Sequence, residues 1–141
     1  MCIMTDRIEA PAISVIVPAR NCPDQLRRSL VSLKNSDFGS YELIVVDDAS
    51  QDSTPQVAYE LGARVVRLSQ QSGPAQARNR GAEIAQGRIL LFIDADVCVQ
   101  RTTLSEFARV FREDATVAAA FGSYDDRPKA GNLVSQYRNL L

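Results

Sequence analysis

The sequence predicts an α/β protein in which helices cover both faces of a mostly parallel sheet. Short runs of consecutive apolar residues, rich in valine and isoleucine, alternate with segments of helical spacing along the chain. The apolar runs lack the alternation of polar and apolar residues that marks a half-exposed strand, which is typical of parallel strands buried on both faces. A length of 141 residues suits one domain, so residues 1–141 are assigned to a single domain.

Five strands are predicted, and the first two are followed by clear helix signals. The helix after the first strand has Leu26, Leu30 and Leu33 at helical spacing, with Asp24 as a candidate N-cap. The next helix begins at a polar cluster that ends in Pro55, and Gly62 is its natural C′ residue. The predicted strands cover residues 13–17, 43–46, 65–68, 89–93 and 117–121.

Three further helices complete the predicted order. An alanine-rich helix follows the polar loop over residues 70–74 and ends before Gly87. A fourth helix begins at Thr102 or Thr103 and has Leu104 on its apolar face. The last helical segment covers residues 132–141. Strands that alternate with helices in this way form parallel sheets with right-handed crossovers.

Composition excludes several functional classes. With 16 basic and 17 acidic residues the net charge is −1, so no global field attracts nucleic acid or an anionic membrane. The absence of histidine excludes a Ser-His-Asp triad and any His-ligated metal within these residues. The three cysteines lack Cys-x-x-Cys spacing, so a reducing cytoplasm is expected, and Cys98 is expected to pack in the interior. The longest apolar run is too short to cross a bilayer, although this leaves open whether a longer, full-length protein associates with a membrane.

Polar residues follow three of the predicted strands. Because ligands of open parallel sheets bind outside the carboxyl ends of the strands, these residues are the candidate site. They are Pro18, Arg20 and Asn21 after the first strand, Asp47 and Asp48 after the second, and Asp94 and Asp96 after the fourth.

Asp94 and Asp96 suggest a metal site. Two ionised carboxylates about 5 Å apart repel by roughly 3 kcal/mol at an effective dielectric of about 20. Mg²⁺ or Mn²⁺ relieves this repulsion and shares its remaining coordination positions with water and phosphate. The alternative is that these aspartates only cap turns, but two acidic clusters at one sheet edge favour a metal and phosphate site. Arg78, in the alanine-rich helix, either contacts a diphosphate or lies on a solvated basic face.

Three motifs resemble the family-2 glycosyltransferases in order and spacing: ISVIVPARN, ELIVVDDASQDST and ARNRGAEIAQGRILLFIDAD. The resemblance extends over about residues 13–122. It implies a Rossmann-like GT-A fold that binds a nucleotide-diphospho-sugar donor. It also implies transfer of the sugar to an acceptor hydroxyl with inversion, assisted by Mg²⁺ or Mn²⁺.

The resemblance also implies roles for individual residues. The first motif lines the nucleotide pocket, with Arg20 at a position where an aromatic residue is common in the family. Asp48 contacts the base with Asp47 beside it, and Arg78 lies near the diphosphate. Of the Asp-x-Asp pair, Asp96 is the usual metal ligand, whereas Asp94 more often meets the ribose or sugar. The residues implied around the base and ribose are Pro18, Arg20 and Asn21.

The family's catalytic base, an Asp or Glu, has no counterpart in the chain and is expected beyond Leu141. The chain is therefore expected to be the donor-binding part of a C-terminally truncated enzyme, with a saccharide, lipid or protein as acceptor. Self-association is expected through apolar residues near the C-terminus, namely Leu133, Val134, Leu140 and Leu141.

A phospho-acceptor receiver domain is the alternative from another functional class. Residues 43–48, LIVVDD, resemble its acidic pair, and the later strand before Asp94 resembles its phosphorylated position. Two features oppose this reading. A receiver begins with the strand that carries the acidic pair, whereas here a strand over residues 13–17 precedes it. The lysine that a receiver needs at a strand end is also missing, because Lys129 follows a turn-like segment.

Overall fold

The computed structural model describes residues 10–122, which contain four strands and four helices. Contacts divide the chain into two units, residues 1–109 and 110–141. The elements are β1 (Ile13–Ala19), α1 (Pro23–Lys34), β2 (Tyr41–Asp47), α2 (Thr54–Glu60), β3 (Arg64–Arg67), α3 (Pro74–Ile84), β4 (Ile89–Phe92) and α4 (Thr103–Glu113).

All four strands are parallel and lie in the order β3-β2-β1-β4, which confirms the predicted α/β class. The chain adds β2 and β3 on one side of β1 and then returns through α3 to place β4 on the other side. The strand order therefore reverses between β1 and β4, which is the position where open α/β sheets bind ligands. β1 and β2 stay in register to their ends, with Ala19 opposite Asp47.

Apolar side chains cover both faces of the sheet. One core cluster joins Val15 and Val17 of β1 to Leu30 of α1, Ala58 of α2 and Leu104 of α4. A smaller cluster on the opposite face joins residues of β1 and β2 to α3, and consists of Ile16, Ile44, Val46 and Ala77. Neighbouring residues of β1 thus face opposite helix layers, as the period of two requires in a strand buried on both sides.

Pro18 lies within β1 rather than closing it. It pairs with Val46 on the β2 side, so the strand continues two residues past the predicted end. On the β4 side the last ladder bond runs from the N–H of Ile93 to the carbonyl of Ile16, at 3.1 Å. Alternate residues of a parallel strand face the same neighbour, so the next N–H toward β4 would be that of residue 18, which proline lacks. The two strands consequently separate at this point.

Two further details differ from the sequence predictions. The N-cap of α1 is Cys22, and Asp24 lies in the first turn, because Pro23 suits the first helical position. Residues 117–121 form no strand. Three of these five residues are alanines, which bury little apolar area and favour strands weakly, and Val117 instead closes a local turn by donating to the carbonyl of Asp114.

Some of the predicted features fall outside the described residues. The predicted helix over residues 132–141 and the apolar C-terminal residues from Leu133 to Leu141 are among them. Within the described part, no helix has the length and apolar character needed to cross a membrane.

Two glycines allow the segment around α3 to lie close to β1. Gly81 faces the side chain of Ile16, which a Cβ on residue 81 would overlap. A Cβ on Gly87 would lie 2.5 Å from the nitrogen of Ser14 and 2.7 Å from the carbonyl carbon of Ile13. Backbone atoms of a central strand have no room to retreat, so residue 87 must lack a side chain.

Replacing Gly87 by alanine is expected to lower the free energy of unfolding by about 2 kcal/mol, because β1 has to shift to relieve the overlap. Gly39→Ala is the matched control, since a Cβ there meets nothing within 4 Å. Urea unfolding followed by circular dichroism measures both variants. Equal stability of the Gly87→Ala variant and the unmodified chain would contradict this account of the close contact.

Candidate functional site

The polar residues after β1, β2 and β4 gather at one edge of the sheet. Cys22, the N-cap of α1 in the loop after β1, lies close enough to Asp47, Asp52 and Asp96 to interact electrostatically with all three carboxylates. Arg78 of α3 reaches the end of β4, where its guanidinium contacts Asp94. The residues that the sequence singled out are therefore brought together, from both sides of β1.

Asp47 is fully buried at the end of β2. Its Oδ2 atom accepts the N–H of Ser50 at 3.3 Å and lies 3.2 Å from Nε of Arg67. Its Oδ1 atom is buried without a hydrogen-bond partner in the described part of the chain. Leaving such an acceptor without a donor costs about 1–3 kcal/mol.

The loops after β1 and β2 are bonded to each other. The N–H of Asn21 donates to Oγ of Ser50 at 3.0 Å, and the N–H of Gln51 donates to Oδ1 of Asn21 at 2.9 Å. Asn21 has φ 47° and Ala49 has φ 56°, so both adopt the left-handed conformation that non-glycine residues rarely occupy. Such strain persists where the surroundings determine the backbone, and at this edge the reciprocal hydrogen bonds do so.

Asp48 joins the end of β2 to the loop before α3. Its Oδ1 atom accepts the N–H of Ser72 at 2.6 Å, and its Oδ2 atom accepts the N–H of Gly73 at 3.0 Å. The residue is 5% exposed, and its own N–H donates to the carbonyl of Ala19. Each carboxylate oxygen can accept a second hydrogen bond, so contact with a base remains compatible with this role as a loop anchor.

The two aspartates after β4 have different surroundings. Asp94 pairs with Arg78, with Nη2 and Oδ1 at 2.5 Å. Asp96 is exposed and makes no hydrogen bond or ion pair with another described residue. Of the two, Asp96 is therefore the carboxylate available to a cation. Within residues 10–122, no three Asp, Glu, Cys or His side chains converge to hold a metal by themselves.

Burial raises the pKa of the Cys22 thiol, and the carboxylates of Asp52, Asp96 and Asp47 raise it further, although a hydrogen bond with the Arg20 backbone acts in the opposite direction. Arg20 itself has a buried Nε atom without a hydrogen-bond partner among the described residues. Cys98 is exposed, so the expectation that it packs in the interior is wrong. It follows a turn after β4 and falls outside the regular strand.

The sequence did not reveal Arg67 or Ser50. Arg67 is the last residue of β3, so its position at a strand end is a signal in the sequence that could have identified it. Ser50 carries no such signal, because its importance comes from hydrogen bonds to residues distant in sequence, Asn21 and Arg67.

A parallel sheet with polar side chains gathered where its strand order reverses defines an open α/β domain with a candidate ligand site at that edge. The particular family follows from the sequence. The profile described as Glycosyl transferase family 2 matches residues 14–140, and the chain belongs to this family. The receiver alternative gains no support from this match.

Curated relatives agree with the family assignment. TuaG of Bacillus subtilis, a glycosyltransferase named for teichuronic acid biosynthesis, is 36% identical over 132 residues, which are 90% of this chain and 52% of TuaG. The poly(ribitol-phosphate) beta-N-acetylglucosaminyltransferase TarS of Staphylococcus aureus is 36% identical over 71% of this chain and 19% of TarS. The chain therefore spans from about a fifth to about a half of the length of these relatives.

Solved structures show the same fold. TarS residues 1–349 in complex with UDP-GlcNAc match with a TM-score of 0.68 and 35% identity, over 72% of this chain and 31% of that one. A mannosyltransferase, PcManGT from Pyrobaculum calidifontis, in complex with GDP-Man and Mn²⁺, matches with a TM-score of 0.71 and 28% identity, over 78% of this chain and 34% of that one. Both support the GT-A fold that the sequence predicted.

The thiol of Cys22 is expected to react with iodoacetamide several-fold more slowly than that of Cys98 at about pH 8, since its raised pKa leaves less thiolate and burial limits access. The difference should narrow as the pH rises through the pKa of Cys22. Timed alkylation followed by peptide mass spectrometry measures both rates, and the urea-unfolded chain, in which the two rates should converge, is the control. Faster alkylation of Cys22 in the folded chain would contradict the described environment.

Proposed function

We propose that this chain is the donor-binding part of an enzyme that transfers a sugar from a nucleotide-diphospho-sugar to an acceptor hydroxyl. The observation that carries the proposal is the placement of two acidic pairs at the same sheet edge, on either side of β1: Asp47 and Asp48 at the end of β2, and Asp94 and Asp96 after β4, with Arg78 in contact with Asp94. The family assignment and the nucleotide-sugars bound to two structural relatives support it. Residues 1–141 would belong to one GT-A-like domain, acting in the cytoplasm, and the acceptor stays open between saccharide, lipid and protein.

The residues present suit a divalent cation that is shared with the donor. Mg²⁺ commonly binds one or two protein carboxylates together with substrate phosphates, and Asp96 offers a carboxylate that no described residue engages. Mg²⁺ or Mn²⁺ held by Asp96, with Asp94 beside it, would neutralise negative charge on the leaving diphosphate. The Mn²⁺ in the mannosyltransferase complex agrees with this choice of cation.

The other site residues would bind and orient the donor. Arg78 would donate to the diphosphate, and its contact with Asp94, which lies in the Asp-x-Asp segment, supports this role. Asp48, with Asp47 beside it, would accept from the base. Inversion at the anomeric carbon would require a base that deprotonates the acceptor, and that group is expected beyond Leu141. The residues proposed to surround the base and ribose are Pro18, Arg20 and Asn21.

Asp96→Ala is expected to abolish Mn²⁺-dependent binding of UDP or GDP while the fold stays intact, because the side chain has no described partner to lose. Isothermal calorimetry with and without Mn²⁺ measures the effect. Asp37→Ala is the control, since Asp37 is also exposed and precedes β2 at the opposite edge of the sheet. Titration curves for Asp96→Ala that match the unmodified chain would exclude Asp96 as the ligand.

Asp48→Ala is expected to weaken UDP or GDP roughly 5- to 150-fold and inorganic diphosphate little, because the base N–H would lose its acceptor, at a cost of about 1–3 kcal/mol. Calorimetry with the nucleotide and with diphosphate, both with Mn²⁺, separates the two contributions. An equal loss for both ligands would show that Asp48 acts only by anchoring the loop at Ser72 and Gly73.

A further inference from the structure

Arg67 makes two contacts that join the ends of β2 and β3 to the loop after β2. Its Nε atom lies 3.2 Å from Oδ2 of Asp47. Its Nη2 atom donates to the carbonyl oxygen of Ser50 at 2.6 Å. One guanidinium thus holds both a strand end and the turn that follows it. A lysine would place a single ammonium at this position and lack the rigid fork.

The contact with Asp47 has a clear physical cause. The side chain of Asp47 is 0% exposed, so its charge needs a counter-ion, whereas Arg67 keeps 59% of its side chain in solvent. Arg67 is the cation that pairs with Asp47 among the described residues. It neutralises the carboxylate from the side of β3, away from β1 and β4, so it leaves the edge between those strands open.

The effect of Arg67 extends to the loop after β1 through Ser50. The carbonyl of Ser50 accepts from Arg67, its N–H donates to Asp47, and its Oγ accepts the N–H of Asn21. Ala49, just before Ser50, has φ 56°. Fixing both polar backbone groups of Ser50 therefore helps to hold this strained turn and, with it, the position of Asn21.

We propose that Arg67 is a positioning residue for the nucleotide pocket. It holds Asp47 and Ser50 in the arrangement that binds the base and ribose, and it does not itself touch the donor. This inference rests on the proposed function. It predicts that Arg67 affects the binding of a nucleoside diphosphate and leaves the binding of the metal and diphosphate, at Asp96 and Arg78, nearly unchanged.

The test measures binding of UDP, GDP and inorganic diphosphate, each with Mn²⁺, to the folded 141-residue chain by calorimetry. Arg67→Ala is expected to weaken the preferred nucleotide about tenfold, and Arg67→Lys less, whereas inorganic diphosphate changes less than about twofold. Arg64→Ala is the matched control: this arginine begins the same strand, and its Nη1 donates to the carbonyl of Ile84 at 3.2 Å. The Arg64→Ala variant should bind UDP, GDP and inorganic diphosphate as the unmodified chain does.

A double-mutant cycle shows whether Arg67 acts through Asp47. If it does, the Arg67→Ala/Asp47→Asn variant binds the nucleotide no more weakly than the more affected single variant, because both changes break the same contact. Fully additive losses in the cycle would overturn the inference. If Arg67→Ala fails to fold, nucleotide binding by Arg67→Lys tests the inference instead, because this variant keeps a positive charge opposite Asp47 and so is expected to fold.

The outcomes separate this inference from the proposed function. Failure of the unmodified chain to bind UDP or GDP would overturn the proposed function, and this inference with it. Normal nucleotide binding by the unmodified chain and by both folded Arg67 variants would overturn the inference alone. An equal loss of nucleotide and inorganic diphosphate in the Arg67 variants would also overturn it, because Arg67 would then support the whole edge rather than the nucleotide pocket.

Discussion

The buried charge of Asp47 is the constraint on which the structure of the candidate site, at the carboxyl ends of the strands, depends. Asp47 ends β2 with no exposed surface, and an ionised carboxylate in such a position requires hydrogen bonds and a counter-ion. Arg67 supplies the charge, and the N–H of Ser50 supplies a hydrogen bond. Arg67 and Ser50 are held in place because the buried carboxylate of Asp47 needs these partners. Their further hydrogen bonds then fix the loops after β1 and β2. The unpartnered Oδ1 atom shows that this compensation is incomplete within the described residues.

The four aspartates at the edge divide into two kinds. Asp47 and Asp48 are buried and bonded to backbone groups, so their first effect is to hold loops in place. Asp94 and Asp96 are exposed, and the first is paired with an arginine of α3. Although the sequence presents the two pairs as similar acidic clusters, the pair at the end of β2 is buried, whereas the pair after β4 is accessible from solvent.

Local patterns were sufficient to predict the order of strands and helices through α4. Continuous apolar runs mark the buried parallel strands, and Gly62, with φ 78°, ends α2 as its position predicted. The strand predicted over residues 117–121 was wrong because a short apolar run made mostly of alanine satisfies a pattern without supplying much area to bury.

The candidate site was predictable in its aspartates and less so in its connections. Strand ends identified the aspartates at the edge, because topology alone brings carboxyl ends together. The contacts of Asp48 with Ser72 and Gly73, and those of Arg67 with Asp47 and Ser50, join residues far apart in the chain. No spacing rule encodes such pairs, since they depend on the three-dimensional positions of loops.

Pro18 in β1 limits the length over which β1 and β4 are paired. Any other residue at position 18 would offer an N–H toward β4, and the pairing of β1 with β4 could then extend past Ile93. Asp94 would then become part of β4, and the turn that carries Asp96 would begin later along the chain. The missing N–H of Pro18 therefore determines where the pairing of β1 with β4 ends, and with it where the turn that carries Asp96 begins.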